Sequence, residues 1–320
     1  MPPLNTHQLL SILETGIEIV PAPYQKIAKK VGVSEAVLLE EIRRLKEQGL
    51  IRRFRGQMDY RMLGRTACLA AASVSPDKLD RVIAAVNAVP AVSHHYLRDH
   101  QFNLWFTLQA ESPAAIEHLL ADLAARCGTE FFPLPAGRFF KLDVRFLSHG
   151  STPQRTAGSV SEQPMPIELN SVQKQVLNFL QDEFPLVPYP FAQMGGLDQS
   201  VCIQTTKQLL QKGILKRIAA VLNHYRLGCQ VNAMFCVHAA EAEIERAGMV
   251  LASWPQVSHC YQRQTFPGWP YNLFAMVHFR SEEELNRWIE QVRSALNLSD
   301  FAVLRTLREL KKEPVRIEFI

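Results

Sequence analysis

Two stretches of the chain, 165 residues apart, carry the same side chains at the same spacing: His94, Tyr96 and Arg98 in Val92-Ser93-His94-His95-Tyr96-Leu97-Arg98, and His259, Tyr261 and Arg263 in Val257-Ser258-His259-Cys260-Tyr261-Gln262-Arg263. Alternate residues of a strand share a face, so each set reads as a His, a Tyr and an Arg on one side of a sheet, with His95 and Leu97 on the other. Asn103 and Asn272 begin the next apolar run in each copy, and in the second copy Phe274, Met276 and His278 follow Asn272 on the same parity. An arginine fork grips carboxylates bidentately, and histidine is the side chain able to deliver a proton near neutral pH. Such a face could hold and protonate an anionic ligand. A lone His or Arg on a half-exposed sheet is more often simply solvated. Recurrence of the whole set argues for more, although common ancestry carries structural residues as faithfully as functional ones. Trp105 and Trp269, with Phe102 and Phe274, belong to a core by their type, but an aromatic wall beside a basic face would suit a flat conjugated ring.

The elements that must position these residues repeat as well. At a shift one residue shorter Gly49-Leu50-Ile51-Arg52-Arg53 overlies Gly213-Ile214-Leu215-Lys216-Arg217, and Leu63-Gly64 overlies Leu227-Gly228. The copies read as two homologous modules in tandem. Each opens as a winged helix-turn-helix. In the first, Leu9, Leu10, Ile12 and Leu13 make one helical stripe, Ile27, Ala28 and Val31 a second that Gly32 ends, and Ser34 caps a third bearing Val37, Leu38, Ile42 and Leu45. Leu50 to Arg55 and Gln57 to Tyr60, split by Gly56, read as the wing hairpin. A βαββαβ order follows: a strand from Ala67 to Val74, a helix from Pro76 behind Ser75, strands at 91–98 and 102–108, a helix behind Ser112-Pro113, and a last strand. That order is ferredoxin-like. The fold class is therefore α+β, with winged helix-turn-helix modules at 1–62 and 167–226 and ferredoxin-like modules at 63–149 and 227–320. Residues 150–166 (GSTPQRTAGSVSEQPMP) form a linker.

A chain of 320 residues can bury a core in each half, and 47% hydrophobic against 21% charged residues is a folded composition. The N-terminus has neither a basic nor an apolar leader region, and no apolar run reaches the length of a membrane span, which places the chain in the cytoplasm with no membrane partner. Six cysteines without a CxxC pair read as small buried residues, and no metal site is expected. Net charge is only +4, and all of the excess lies in residues 1–160, with 19 basic against 15 acidic side chains. The helix-turn-helix invites a DNA-binding reading, but Glu35, Glu40 and Glu41 in the third helix, and Asp198 in its counterpart, stand where phosphates would lie. His95, His118, His149 and His238 do not recur and read as surface or core residues.

In architecture each copy resembles the Lrp/AsnC transcriptional regulators, and the two halves together resemble one of their dimers. The stretches His94 to Phe106, and Ser258 to Arg263 followed by Trp269-Pro270-Tyr271-Asn272-Leu273-Phe274-Ala275-Met276, are similar to the signature stretches of the siroheme decarboxylases, in the fused form associated with haem d1 biosynthesis. The resemblance implies removal of the C12 and C18 acetate carboxyl groups of siroheme, giving 12,18-didecarboxysiroheme for haem d1 or the alternative haem pathway. It implies His94 and His259 as acids and Arg98 and Arg263 as carboxylate anchors. Tyr96, Tyr261, Asn103, Asn272, Trp105 and Trp269 would contact substrate, and Arg52, Arg53, Lys216 and Arg217 would close over it from the wings. His100 or His278 would stand near the substrate or its iron, an alternative the residues leave open. Siroheme brings its own iron, so no cofactor is expected. Homologous subunits or a second copy are the protein partners implied, and DNA is disfavoured. His100 has no histidine counterpart, and His278 corresponds to Gln109, so one competent and one altered site are expected. A DNA-binding regulator and a non-catalytic haem carrier remain the alternatives.

Overall fold

The structure is a computed structural model and describes residues 4–142, 147, 158–159 and 167–319. His149 and most of the expected linker 150–166 lie outside the described residues. Helices α1 (Thr6–Thr15), α2 (Pro23–Val31) and α3 (Glu35–Glu47) lead into strand β1 (Ile51–Met58). The second module repeats this with α6 (Ser171–Gln181), a short 3-10 turn at Pro190–Gln193, α7 (Gln199–Gln211) and β7 (Leu215–Leu222). The Ser34 hydroxyl accepts the Val37 amide and caps α3, and Gly32, at φ 75°, closes α2. Val37 itself is 52% exposed, and Leu39 takes the buried place instead.

The wing departs from the expected hairpin. β1 runs unbroken through Gly56 and pairs antiparallel with β7 of the other module, Arg55 opposite Ala219 and Gly56 opposite Ile218. Gly56 is therefore a close-approach residue and not a turn: a Cβ there would stand 2.9 Å from Leu180 Cβ. This two-stranded ribbon joins both helical modules into one core containing Leu9, Leu13, Leu38, Phe54, Leu177, Phe184 and Leu209.

The remaining elements of module one are β2 (Thr66–Ala72), α4 (Leu79–Asn87), β3 (Val92–Arg98), β4 (Leu104–Ala110), α5 (Pro113–Cys127) and β5 (Phe132–Leu142), followed by the two-residue β6 (Gly158–Ser159). Those of module two are β8 (Val231–Val237), α8 (Ile244–Ser253), β9 (Val257–Arg263), β10 (Leu273–Phe279), α9 (Glu282–Leu296) and β11 (Phe301–Lys312). α4 starts later than expected, because Ser75 is used in a tight turn that receives the Lys78 amide before the helix begins.

The strand order is β2-β4-β3-β11-β8-β10-β9-β5, and β5 returns to β2, so the eight strands close on themselves. The last strand of each module makes the seam. β5 pairs with β2 through Phe132–Pro135 and with β9 from Ala136 onward; β11 pairs with β8 through Phe301–Arg305 and with β3 from Thr306 onward. Helices cover the outside, over cores that include Phe106 and Leu108 in module one and Ala275 and Val277 in module two. The inside holds a separate cluster with Trp105, Trp269, Phe274, Cys236 and Leu304. All six cysteines are free thiols, and all but Cys229 are buried. Among the described residues no helix is long and apolar enough to cross a membrane.

Candidate active site

His94, Tyr96 and Arg98 on β3, and His259, Tyr261 and Arg263 on β9, all point into the barrel. Strict alternation holds from His94 to Leu97 and from His259 to Gln262 but fails just before each histidine. Val92 and Val257 share the histidines' parity yet pack outward in the helix-covered cores. The conflict is resolved by a bulge in each strand. Opposite β4, Val92 pairs with Leu108 and His94 with Thr107; opposite β10, Val257 pairs with Val277 and His259 with Met276. Ser93 and Ser258 are the extra residues, and each bulge re-aims the strand so that serine and histidine both serve the inner side. Ser93 Oγ is 2.9 Å from His94 Nδ1, and Ser258 Oγ is 2.9 Å from His259 Nδ1. The recurrence of Ser in both copies was the signal available in the sequence; strict alternation hid its meaning.

The histidines of the two modules gather at one end. Burial drives the His94 pKa down to about 3, reinforced by Lys312, His259, Arg52 and Arg55. His224, next to β7, is pushed to about 3 by burial with Lys312 and Arg52, and His278 is lowered by burial with His224 and His259 among its neighbours. Lys312 sits opposite His94 across the β11–β3 seam; burial lowers it to about 8 despite Glu309. Arg52 reaches in from the wing, 2.6 Å from Glu309 Oε1 and 3.3 Å from Asn223 Oδ1. Lys216, its repeat partner, lies 3.5 Å from Asp59 Oδ2, and Asp59, although buried, is held down at about 2 by Arg61 and Lys216. Arg53 lines a small cavity of about 430 Å³ with Arg52, Asn87, Glu309 and Lys312, whereas Arg217 turns to Gln57 Oε1 at 2.9 Å.

At the other end, Arg98 is deep in the barrel and Arg263 is half-buried. Arg98 is 4% exposed; its Nη1 donates to Leu304 O at 3.0 Å and Thr306 Oγ1 at 3.2 Å, while its buried Nε has no hydrogen-bond partner among the described residues. Arg263 Nη1 donates to Leu134 O at 2.6 Å. Each guanidinium lies over its own strand's tyrosine, 5.3 Å from the Tyr96 ring and 5.1 Å from the Tyr261 ring. Burial lowers both arginines' pKa and raises both tyrosines'.

Several expected contacts fall elsewhere. Asn103 clamps Val74, accepting its N–H at 3.0 Å and donating to its C=O at 2.8 Å, and Asn272 does the same to Ala239 at 2.9 and 2.8 Å. Their amides are used in fastening strand ends and do not join the histidine face. Trp105 and Trp269 are each 1% exposed and pack on one another at 5.1 Å, so they fill the barrel and present no open ring face. His100 lies on the β3–β4 loop, where it accepts the Phe102 amide and packs against Trp269, away from His94. His278 does reach the histidine cluster, but both of its ring nitrogens are engaged, Nδ1 by Asn232 and Nε2 by Ser258 at 2.8 Å, which leaves neither for an iron ligand. Residues that sequence reasoning passed over are Ser93, Ser258, Asn223, His224, Asn232, Glu309 and Lys312. Glu309 and Lys312 reach the site on the seam strand β11, whose pairing with β3 is invisible in a single sequence.

The halves are not equivalent. Opposite His94, Tyr96 and Arg98 stand Lys312, Glu309 and Thr306; opposite His259, Tyr261 and Arg263 stand Leu142, Phe139 and Ala136. One wall is polar and the other apolar. A surface groove of about 1110 Å³, lined by α5 and the segment after β11, lies outside and receives none of the repeated histidines, tyrosines or arginines.

The family model for the AsnC-like ligand binding domain matches residues 62–141 and 226–311, and that for the siroheme decarboxylase NirDL-like HTH domain matches residues 6–52. A siroheme decarboxylase of Hydrogenobacter thermophilus is 34% identical over 98% of this chain and 94% of its own length. The chain belongs to the siroheme decarboxylases. The siroheme decarboxylase alpha subunit of Desulfovibrio desulfuricans, 38% identical, matches 43% of the chain and 80% of its own length, so this decarboxylase-family chain is the fused, two-module form. The crystal structure of the siroheme decarboxylase NirDL in complex with an iron-uroporphyrin III analogue superimposes with a TM-score of 0.73 at 32% identity, covering 96% of this chain and 92% of that one. The regulator-like helix-turn-helix thus reflects shared ancestry, and the basic residues of α3 are already neutralised: Arg43 by Glu40, Arg44 by Glu41 and Lys46 by Glu183.

Proposed function

We propose that this chain decarboxylates siroheme at its C12 and C18 acetates, giving 12,18-didecarboxysiroheme. The observation that carries the reading is the full-length match to a decarboxylase of that substrate. The inner walls of the barrel support it with paired histidines and arginines of the right chemistry. In each acetate the bond to the carboxyl carbon breaks, carbon dioxide leaves, and the electron pair spreads into the macrocycle. A proton then forms the new C–H bond of the methyl group. That balance needs an acid, anchored carboxylates and a dry interior, and no nicotinamide, flavin or pyridoxal.

We assign His94 and His259 as the acids, with Nδ1 of each turned to serine. Arg98 and Arg263 anchor carboxylates, and the unbalanced buried charge of these arginines is met by the substrate's own anions. Tyr96 and Tyr261 hold the guanidinium planes in place. Arg52 and Lys216 close the histidine end from the wing ribbon. Burial is the main cause of the low His94 pKa and Lys312, Arg52 and Arg55 add to it; carboxylates arriving against those cations remove the added repulsion and move the His94 pKa upward.

The test is anaerobic incubation of the purified chain with siroheme, followed by mass spectrometry. Loss of two carboxyl groups supports the assignment and shows that one fused chain suffices. Siroheme that binds and returns intact would make the protein a carrier. Absence of binding together with salt-dependent DNA binding would restore the regulator reading.

A further inference from the structure

The two histidines proposed as acids differ in what stands behind them. In module two an unbroken hydrogen-bonded line runs Asn232, His278, Ser258, His259: Asn232 Oδ1 to His278 Nδ1, His278 Nε2 to Ser258 Oγ at 2.8 Å, and Ser258 Oγ to His259 Nδ1 at 2.9 Å. One assignment of protons satisfies every member. The asparagine oxygen can only accept, so His278 carries its proton on Nδ1 and accepts at Nε2 from the serine hydroxyl, which in turn accepts from His259 Nδ1–H. The exchangeable proton of His259 is thereby placed on Nε2.

Module one keeps the serine and loses the rest. Ser93 Oγ meets His94 Nδ1 and lies 3.3 Å from the Thr107 carbonyl, just as Ser258 Oγ lies 3.3 Å from the Met276 carbonyl, but among the described residues Ser93 has no histidine on its far side. The register position of His278 is held by Gln109, and the residue paired with it across the sheet is Ala67, where module two has Asn232. With alanine opposite, the buried Gln109 Oε1 finds no hydrogen-bond partner among the described residues. Asparagine and histidine have thus been exchanged together, as a line that works only as a unit requires.

We infer that Asn232, His278 and Ser258 are positioning residues for His259, fixing its tautomer and ring orientation and accepting part of the charge when it is protonated. This deepens the decarboxylase reading and rests on it. The line ends on an amide oxygen, which carries no proton, so it orients and polarises and does not conduct protons. In the reaction His259 Nε2 transfers its proton to the carbon left by carbon dioxide while Nδ1–H stays bonded to Ser258. Burial, reinforced by the basic groups His224, His259, Lys312 and Arg98 around it, favours a neutral His278 ring able to accept the serine proton.

The experiment compares wild type with Ser258→Ala, Ser258→Thr and His278→Gln, measuring kcat, KM for siroheme and the pH profile of kcat. Gln already occupies the equivalent place in module one, so His278→Gln asks little of the packing. Ser258→Ala and His278→Gln are expected to lower kcat by about tenfold or more while KM stays within about twofold. In Ser258→Ala the limb reporting the protonated acid moves to lower pH, because the imidazolium has lost its acceptor. Ser258→Thr, which keeps the hydroxyl, restores both, and so separates a lost hydrogen bond from a distorted strand. An active wild type beside Ser258→Ala and His278→Gln variants with unchanged kcat and pH profile overturns the positioning line alone. A wild type that returns siroheme intact overturns the reading of the site, and the line with it.

Discussion

Replacing Arg98 by Met separates ligand binding from fold maintenance, because the two uses predict opposite changes in the unligated protein. Arg98 is 4% exposed, with bonds to Leu304 O and Thr306 Oγ1 and a place over Tyr96, but its Nε is unpartnered and its nearest anchors are neutral. Exchanging buried ionic groups for apolar ones of similar volume is commonly neutral or stabilising by about 1–4 kcal/mol. The unligated Arg98→Met chain should therefore melt no lower than wild type and up to a few degrees higher. In the complex the sign reverses. Loss of a buried charge-paired contact costs about 2–5 kcal/mol, which weakens siroheme binding by roughly 30-fold to several thousandfold. Differential scanning calorimetry of the unligated chain and anaerobic absorbance titration with siroheme read the two effects, and Arg263→Met should behave alike. A melting point several degrees below wild type, together with an affinity held within twofold in both arginine variants, would refute the anchor assignment.

His94→Ala and His259→Ala should each bind siroheme within a fewfold of wild type and lose about 100-fold or more in decarboxylation, as stopped-assay mass spectrometry would register; a weaker effect on rate than on affinity would remove them as acids. His95 is fully buried and His224 4% exposed, each with its pKa near 3, against about 6.5 when unfolded. The unfolded chain takes up those protons first, so the stability they carry is complete above about pH 6.5 and drains away as pH falls toward 3. At pH 5 the loss is roughly 2 kcal/mol for each, visible as a lower urea midpoint than at pH 7.5; equal midpoints would count against neutral burial. Gly56→Val drives a side chain into Leu180 and Leu215 and should cost about 1–3 kcal/mol in thermal unfolding. An unchanged melt would mean that the wing ribbon gives way easily.

Much of this fold is legible in the sequence because the repeat states each element twice. The helix-turn-helix stripes, the Ser34 and Ser112 caps and the βαββαβ order all follow from local chemistry. Gly56 was misleading for a physical reason: a glycine admitted for close packing and one admitted for a turn look identical in a single chain. Parity alone puts each histidine on a face with its tyrosine and arginine; what it does not reveal is the bulge at Ser93 and Ser258, a feature of pairing and not of period, that brings the serines to the same side. Lys312 and Glu309 were beyond reach, since nothing local says that β11 crosses to β3. Asn103 and Asn272 show the converse error. Their recurrence is real, and it records a repeated strand-end clamp.

The seam strands also set the order in which the molecule can be assembled. As the chain is synthesised, module one is complete through β5 long before β9, Val257–Arg263, exists to cover that strand's second half. Until then Ala136–Leu142 is a bare sheet edge, the kind that recruits other chains. The edge carries Arg138 and Lys141, and Pro133 and Pro135, which have no N–H to donate, lie in the adjoining stretch paired with β2. Charged and proline residues are what discourage a nascent edge from pairing with a stranger. The newborn first half thus waits with its flank guarded, and the barrel shuts only when β11, near the end of the described chain, returns across the seam to β3.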